Sequence, residues 1–272
     1  MRLPPAITSR TNARVKTLRA SFSGKASRPG ELVGIEGENL IGEALRSGLG
    51  FETVFVREGS EAVLQRLAGL AAEECVVLSR DVFESAVDTA SPQGIAAMVA
   101  IPEIAPSDAA GVVLVLEDLQ DPGNMGTLIR SAEAFAVKQI FVTPMTVNPW
   151  NPKAVRASAG SVFRMPMVRC PLSEVKAWAE EFDVKLVAAV ARSRDATPVM
   201  QARLLAPCGL MIGNEGAGLS ASALALADMR VNIPCAVESL NAATAGTTLM
   251  YEVFRQNLLQ EFLDMPVTRG LR

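Results

Sequence analysis

Histidine is absent from the chain. That removes the commonest zinc ligand, the commonest general base near neutral pH and every Ser-His-Asp arrangement. Catalysis, if there is any, must rest on carboxylates, arginine, lysine, hydroxyls, backbone amides or a bound cofactor. Paired cysteines are absent too: Cys75, Cys170, Cys208 and Cys235 are scattered, with no CxxC. The start, Met1-Arg2-Leu3-Pro4-Pro5, lacks the apolar core of a signal peptide, so free thiols and a cytoplasmic location are expected. No apolar run approaches the roughly 18 to 20 residues that cross a bilayer. Neither the GxxxxGKS/T phosphate loop nor a GxGxxG dinucleotide turn after a first strand occurs, which disfavours an ordinary nucleotide-binding oxidoreductase.

What remains is globular. The chain has 272 residues, 49% hydrophobic and 20% charged, enough for two ordinary domains with real cores. Its net charge of −3 hides an uneven distribution. Arg2, Arg10, Arg14, Lys16, Arg19, Lys25 and Arg28 stand in the first 30 residues without a single acid. Such an arm suits phosphate tracking, and its bland counterpart is a solvated, partly disordered leader.

The Pro-punctuated stretch Ile101–Ser107 predicts a linker between a region 1–104 and a region 107–272. In the first region, strand patterns at Leu32–Ile35, Thr53–Val56, Val76–Leu78 and Ile95–Ala100 alternate with helical patterns at Asn39–Ser47 and Ser60–Leu70. A small α/β domain is expected. In the second, near-continuous apolar strands at Val112–Leu116, Gln139–Val142, Lys185–Val190, Leu210–Ile212 and Arg230–Ile233 predict a parallel sheet covered on both faces. Helices are expected at Met125–Ala136, Leu172–Glu181, Ala221–Ala227 and Ala242–Leu263. The fold class is therefore α/β.

Ligands of open α/β sheets bind beyond the carboxyl ends of the strands, which directs attention to three turns. In Glu117–Gly126, Asp121-Pro122-Gly123 is strong turn chemistry and Asn124 is placed to cap the next helix. Arg130 follows on that helix, its side chain leaning back toward the turn. In Leu210–Leu219, a buried strand runs into Gly213, Gly216 and Gly218, where backbone can approach a ligand, and Glu215 stands among them. In Asn232–Ala243, Ser239 and Asn241 are candidate caps of the long C-terminal helix.

Together and in this order, LEDLQDPGNMGTLIRSAEAF, LMIGNEGAGLS and NIPCAVESLNAATAG resemble the three motifs of the SpoU, TrmH-like family of RNA methyltransferases. The segment Lys153–Pro166 also resembles that family. So do Ser9-Arg10-Thr11-Asn12 with Val15-Lys16, Ile35–Leu40 and Pro92–Ile95, which look like its small ribosomal-protein-like substrate-binding domain. The resemblance covers almost the whole chain. Two departures stand out: the loop between Pro234 and Glu238 is shorter than is usual, and Asn39 replaces a histidine common in relatives.

The resemblance implies a parallel-sheet domain with a trefoil knot, and S-adenosylmethionine-dependent methylation of a ribose 2′-hydroxyl in rRNA or tRNA, with rRNA favoured. It implies cofactor contacts around Gly213, Ile233, Leu240, Asn241 and Ala242. Asn124, Arg130, Glu215, Ser239 and Asn241 match the polar active-site positions. Arg10, Asn12, Arg14, Lys16, Lys153 and Arg156 are the candidate RNA contacts. A homodimer is implied, with Arg130 serving the partner's cofactor, and neither metal nor membrane is required. The family's proposed base is Arg130. A guanidinium holds its proton too tightly for a base, which favours instead a role in orienting the ribose and stabilising the developing alkoxide. The alternative from another class is a non-catalytic RNA-binding protein that retains the fold.

Overall fold

The computed structural model describes residues 4–67, 69–70, 75–107 and 111–264. Its residues pack as two units. The first is drawn from Met1–Ile104, Asp121–Arg130 and Val147–Arg164, the second from Ala105–Gln120, Ser131–Thr146 and Met165–Arg272.

The first unit begins with α1 (Ala13–Ser21), where the sequence suggested a basic arm. Asn12 caps it, its Oδ1 accepting the Arg14 N–H at 2.9 Å. Val15, Leu18 and Phe22 recur at helical spacing and are buried with Phe55, Val76, Leu78 and Phe83. Each large side chain buried in this way contributes about 1.5–3 kcal/mol, so residues 12–22 belong to the core and are not a solvated leader. The basic residues occupy the other face. Ahead of the helix, Ile7 lies parallel to the sheet edge, with its N–H on Val77 O and its carbonyl accepting from Ser79.

Four strands follow: β1 (Leu32–Glu36), β2 (Phe51–Arg57), β3 (Cys75–Leu78) and β4 (Ile95–Ala100), in the order β1-β4-β2-β3. β4 is antiparallel to both its neighbours, and β2 and β3 are parallel. α2 (Glu38–Arg46) joins β1 to β2, and α3 (Arg80–Ala86) joins β3 to β4. The expected helix at Ser60–Leu70 is only a 3-10 turn, Glu61–Gln65. Ser60 does not cap it, because its hydroxyl accepts from Arg57 Nε at 3.2 Å, and Gly69 takes φ +103°. Residue 68 of that span lies outside the described residues. α5 (Pro152–Ala157), capped by Asn151, also packs in this unit against β1. Of the expected linker, Ile101 is buried and pairs with Gly30 and Glu31, and residues 102–107 carry no regular structure.

The second unit is built on β5 (Val112–Leu116), β6 (Gln139–Val142), β7 (Met167–Arg169), β8 (Lys185–Ala189), β9 (Thr197–Pro198), β10 (Cys208–Ile212) and β11 (Met229–Asn232). All pair in parallel, in the order β7-β6-β5-β10-β8-β11-β9. The central strands are buried end to end, as the apolar runs require. On one face Val113, Val115, Leu186 and Met211 pack with Val175 and Ala179 of α6 (Leu172–Glu181) and Ala223 of α7 (Ala221–Leu226). α8 (Ala242–Asp264) packs along β10 and buries Leu249, Met250 and Val253. α4 (Pro122–Ala134) contributes residues to both units. The two strands that the sequence did not announce, β7 and β9, are the short sheet edges, where no continuous apolar run is needed.

All four cysteines are free. Burial pushes the Cys170 thiol up to about 11 and that of Cys208 to about 12, so both are inert packing groups, while Cys235 is exposed. Among the described residues, no helix is long and apolar enough to cross a membrane, and no cluster of acids and cysteines could hold a metal ion.

Candidate active site

In the second unit the ends of β5 and β10 are tied together by side chains that reach main-chain atoms. Glu117, directly after β5, is buried; its carboxylate accepts both the N–H and the hydroxyl of Ser220, at 2.8 and 2.6 Å. Ser220 in turn caps α7. Asp118 adopts φ 53°, a left-handed conformation that Asp tolerates better than most residues. Thr143, after β6, fixes it on two sides: Thr143 Oγ1 accepts the Asp118 N–H at 3.1 Å and donates to Asp118 Oδ1 at 3.0 Å.

The turn after β10 is closed on itself. Asn214 and Gly218 exchange two backbone hydrogen bonds, while Asn214 Oδ1 accepts from Gly216 and Ala217 and its Nδ2 donates to Asp118 O. Gly213 is obligatory here, because a Cβ on it would stand 2.3 Å from backbone atoms of Gly218 and Leu219. Glu215 is exposed at the tip and caps no helix; its Oε2 accepts the Gln120 N–H at 3.2 Å. Gln120 Nε2 completes the link, donating to Asp118 O at 2.9 Å and Met145 O at 3.0 Å.

Beyond β11, Ile233–Leu240 runs without regular structure and makes no backbone–backbone hydrogen bond among the described residues. Asn241 ends it as the cap of α8, its Oδ1 accepting from Ala243 and Thr244 at 2.9 and 3.2 Å. Ser239 is exposed two residues earlier and does not cap. One side-chain acceptor at the capping position suffices, and Asn241 occupies it. A segment that leaves most of its own amides and carbonyls unused offers them to the polar edge of a ligand. That donor set fits a nucleoside cofactor such as S-adenosylmethionine.

In the first unit, α4 starts at Pro122, three residues before the sequence suggested. Asp121, not Asn124, is its cap: Asp121 Oδ1 accepts the Asn124 N–H at 2.9 Å and its carbonyl accepts from Met125. Asn124 is thus inside the first turn, half-buried, and Arg130 falls in the third turn, its side chain exposed and without a hydrogen bond among the described residues. The Lys153 ammonium lies 3.0 Å from Asp121 Oδ2; this contact first, and the Asn124 N–H second, hold the Asp121 carboxyl below the usual range. Arg156 faces Asp88 at 3.5 Å. Arg10, Arg14 and Lys16 are exposed around α1, whereas Asn12 is occupied as its cap.

Sequence reasoning singled out Gly213, Glu215, Ser239 and Asn241 but passed over Glu117, Asp118, Gln120, Thr143 and Asn214. Glu117 carried a readable signal, since a carboxylate closing an apolar strand must find a partner. For Gln120 and Thr143 the partners that tie the loops together, Glu215 and Met145 for one and Asp118 for the other, are distant in sequence and nothing local points to them.

Residues 111–251 match the model of the SpoU rRNA Methylase family, and residues 12–97 match that of the MRM3-like substrate binding domain. The chain is similar to an uncharacterised tRNA/rRNA methyltransferase of Synechocystis sp., 34% identical, with 92% of this chain and 94% of that one aligned. It is also similar to the 23S rRNA (guanosine(2553)-2′-O)-methyltransferase RlmP of Bacillus subtilis, 30% identical over 91% of this chain and 98% of that one. Among solved structures, the SpoU methyltransferase AviRb of Streptomyces viridochromogenes in complex with AdoMet superposes with a TM-score of 0.78 at 28% identity, covering 90% of this chain and 98% of its own. A family match over the parallel-sheet region and relatives aligned nearly end to end lead to one conclusion: the chain belongs to the SpoU rRNA methylase family.

Proposed function

We propose that this chain transfers a methyl group from S-adenosylmethionine to a ribose 2′-hydroxyl of RNA, with rRNA favoured over tRNA. The observation that carries the reading is that the family match, 111–251, contains every proposed catalytic and cofactor residue. The B. subtilis relative, named for 2′-O methylation of a 23S rRNA guanosine, and the AdoMet held by the AviRb structure support the same chemistry. When bound, the cofactor supplies an activated methyl group, so neither metal nor prior activation of the ribose is required.

The chain's own residues have four tasks. Gly213, Ile233, Leu240, Asn241 and Ala242 hold the cofactor largely through main-chain atoms. Asn124, Glu215, Ser239 and Asn241 supply polar contacts around the reacting groups. Arg130 orients the ribose and stabilises negative charge growing on its 2′-oxygen, and the proton leaves to phosphate or water. Residues 1–104 recognise the RNA, with Arg10, Asn12, Arg14 and Lys16 on the basic face of α1 and its approach and with Lys153 and Arg156 of the same unit; residues 107–272 form the methyltransferase domain. Single-stranded loops are the expected targets, because a ribose within an A-form helix is hard to reach. A trefoil knot closed by α8, a cytoplasmic homodimer and an Arg130 that serves the partner's cofactor belong to the same reading.

The test is methyl transfer from labelled S-adenosylmethionine to total RNA of a strain lacking the gene, followed by mapping of alkali-resistant sites. One new 2′-O-methyl position establishes the reaction and identifies the substrate. Cofactor binding with no transfer to free RNA or to ribosomal assembly particles would instead leave a non-catalytic RNA-binding protein.

A further inference from the structure

Met145 is 72% exposed, yet the main chain around it is held by side-chain hydrogen bonds. A single exposed apolar side chain needs no explanation on a mobile loop. Here the backbone on both sides is fixed. Arg169, at the end of β7, donates from Nη1 to the carbonyls of Thr143, Pro144 and Thr146, at 2.9, 2.9 and 3.0 Å. Removal from water holds its guanidinium pKa below the ordinary arginine value. Thr146 is buried, with its hydroxyl on Leu116 O at 3.0 Å. The Met145 carbonyl itself accepts from Gln120 Nε2.

The same Gln120 places Met145 with respect to chemistry. Its side chain grips Met145 O at 3.0 Å, and its backbone N–H grips Glu215 Oε2 at 3.2 Å. One residue therefore bridges the exposed methionine and the candidate active-site carboxylate. β6, which leads into the Met145 loop, pairs directly with β5, and β5 pairs with β10, which leads to Glu215. Met145 is thus an apolar, polarisable side chain on a loop tied through Gln120 to the loop that carries Glu215. A nucleotide drawn out of its stack loses the neighbours of its base, and an unbranched thioether can cover that face without reading base identity.

We infer that Met145 is the nucleobase contact of this enzyme, the surface on which the base of the nucleotide being methylated rests, and that Arg169 is its positioning residue. The inference rests on the proposed RNA 2′-O-methyl transfer. It assigns tolerance, not specificity, to this contact: any base can lie on a methionine, so choice of nucleotide falls to other parts of the RNA interface.

The experiment uses the full chain and an RNA fragment that spans the mapped methylation site. Wild type, Met145→Ala, Met145→Leu and Arg169→Met are compared for KM of RNA, kcat, directly measured S-adenosylmethionine affinity, Tm and oligomeric mass. Met145→Ala is expected to raise the KM for RNA about tenfold. Cofactor affinity, Tm and mass should stay unchanged, and Met145→Leu should recover most of the loss. Arg169→Met should raise the same KM while leaving cofactor affinity alone. An unaltered KM and kcat in Met145→Ala overturns the inference. So does a KM change that accompanies a change in mass, since Met145 would then be covered by a second copy of the chain. If wild type transfers no methyl group at all, the functional reading fails first and takes this inference with it.

Discussion

The two units place their candidate functional groups in opposite ways. In the first, the side chains of Arg10, Arg14, Lys16 and Arg130 are exposed and make no hydrogen bond among the described residues, so the fold does not depend on those side chains. The unit's ion pairs, such as Arg66–Glu38 and Arg164–Glu43, join side chain to side chain at the surface, where salt and solvent screen them. In the second, the loops of the candidate site are held by side chains bonded to main-chain atoms: Glu117 on Ser220, Asn214 on Asp118, Gln120 on Met145, Arg169 on three carbonyls. Function and folding are separable at these four side chains of the first unit and coupled in the second. A flexible polymer substrate can be caught by mobile charges, whereas methyl transfer needs atoms placed within fractions of an ångström.

The variant that tests this separation most sharply is Arg130→Lys. It keeps the charge but loses the planar fork, so turnover should fall about 100-fold or more while Tm does not move. Near-normal turnover would remove Arg130 from the chemistry. Glu117→Ala should show the coupling. It leaves the Ser220 N–H without its partner and removes a bond to the α7 cap, which should cost about 2–3 kcal/mol in denaturant unfolding together with most of the activity. Loss of activity with full stability would break the comparison on the second-unit side.

A smaller effect is expected from replacing Arg10, Arg14 and Lys16 together by alanine. RNA affinity should weaken, and the slope of log K against log salt should become shallower by about 0.7–0.9 for each phosphate that is no longer neutralised, with Tm unchanged. An unaltered slope would take these residues out of the RNA interface. Deleting residues 1–28 instead would confuse the result, since it removes Val15 and Leu18 from the core.

The smallest effect concerns pH. The Asp121 carboxyl is held below the ordinary range by Lys153 and by the Asn124 N–H, so it is more acidic folded than unfolded. Its contribution is therefore present above the unfolded carboxylate pKa and lost as pH falls through the lower folded value. With the Asp121 side chain 44% exposed, screening keeps this under about 1 kcal/mol. Asp121→Asn should flatten the acid limb of the stability curve slightly; a steeper limb would contradict the assignment.

Much of this molecule is written locally. β5 and β6, at Val112–Leu116 and Gln139–Val142, and α6, at Leu172–Glu181, coincide with the spans that their patterns predict, because a strand buried on both faces must be apolar throughout and an amphipathic helix must repeat every 3.6 residues. The glycines of the β10 turn are equally plain, whereas the cap of α8 is narrowed only to Ser239 or Asn241, and the structure takes Asn241. Short edge strands such as Thr197–Pro198 carry no such pattern, and the basic residues around Val15 and Leu18 mask a helix whose buried face is only a few residues wide. The choice of Asp121 over Asn124 as the cap of α4 turns on Pro122, whose fixed φ suits the first helical position and so moves the start forward.

Taken alone, then, the amino-acid order determined the α/β class, the parallel sheet, the absence of histidine as a catalytic option, and the three loops where a ligand would be met. Only the tertiary structure decided how those loops are held. The partners of Glu117, Gln120, Thr143 and Arg169 lie about 103, 25 to 95, 25 and 23 to 26 residues away in sequence. Hydrogen bonds of that range depend on which strands become neighbours, and the identities of the two residues alone do not encode that pairing.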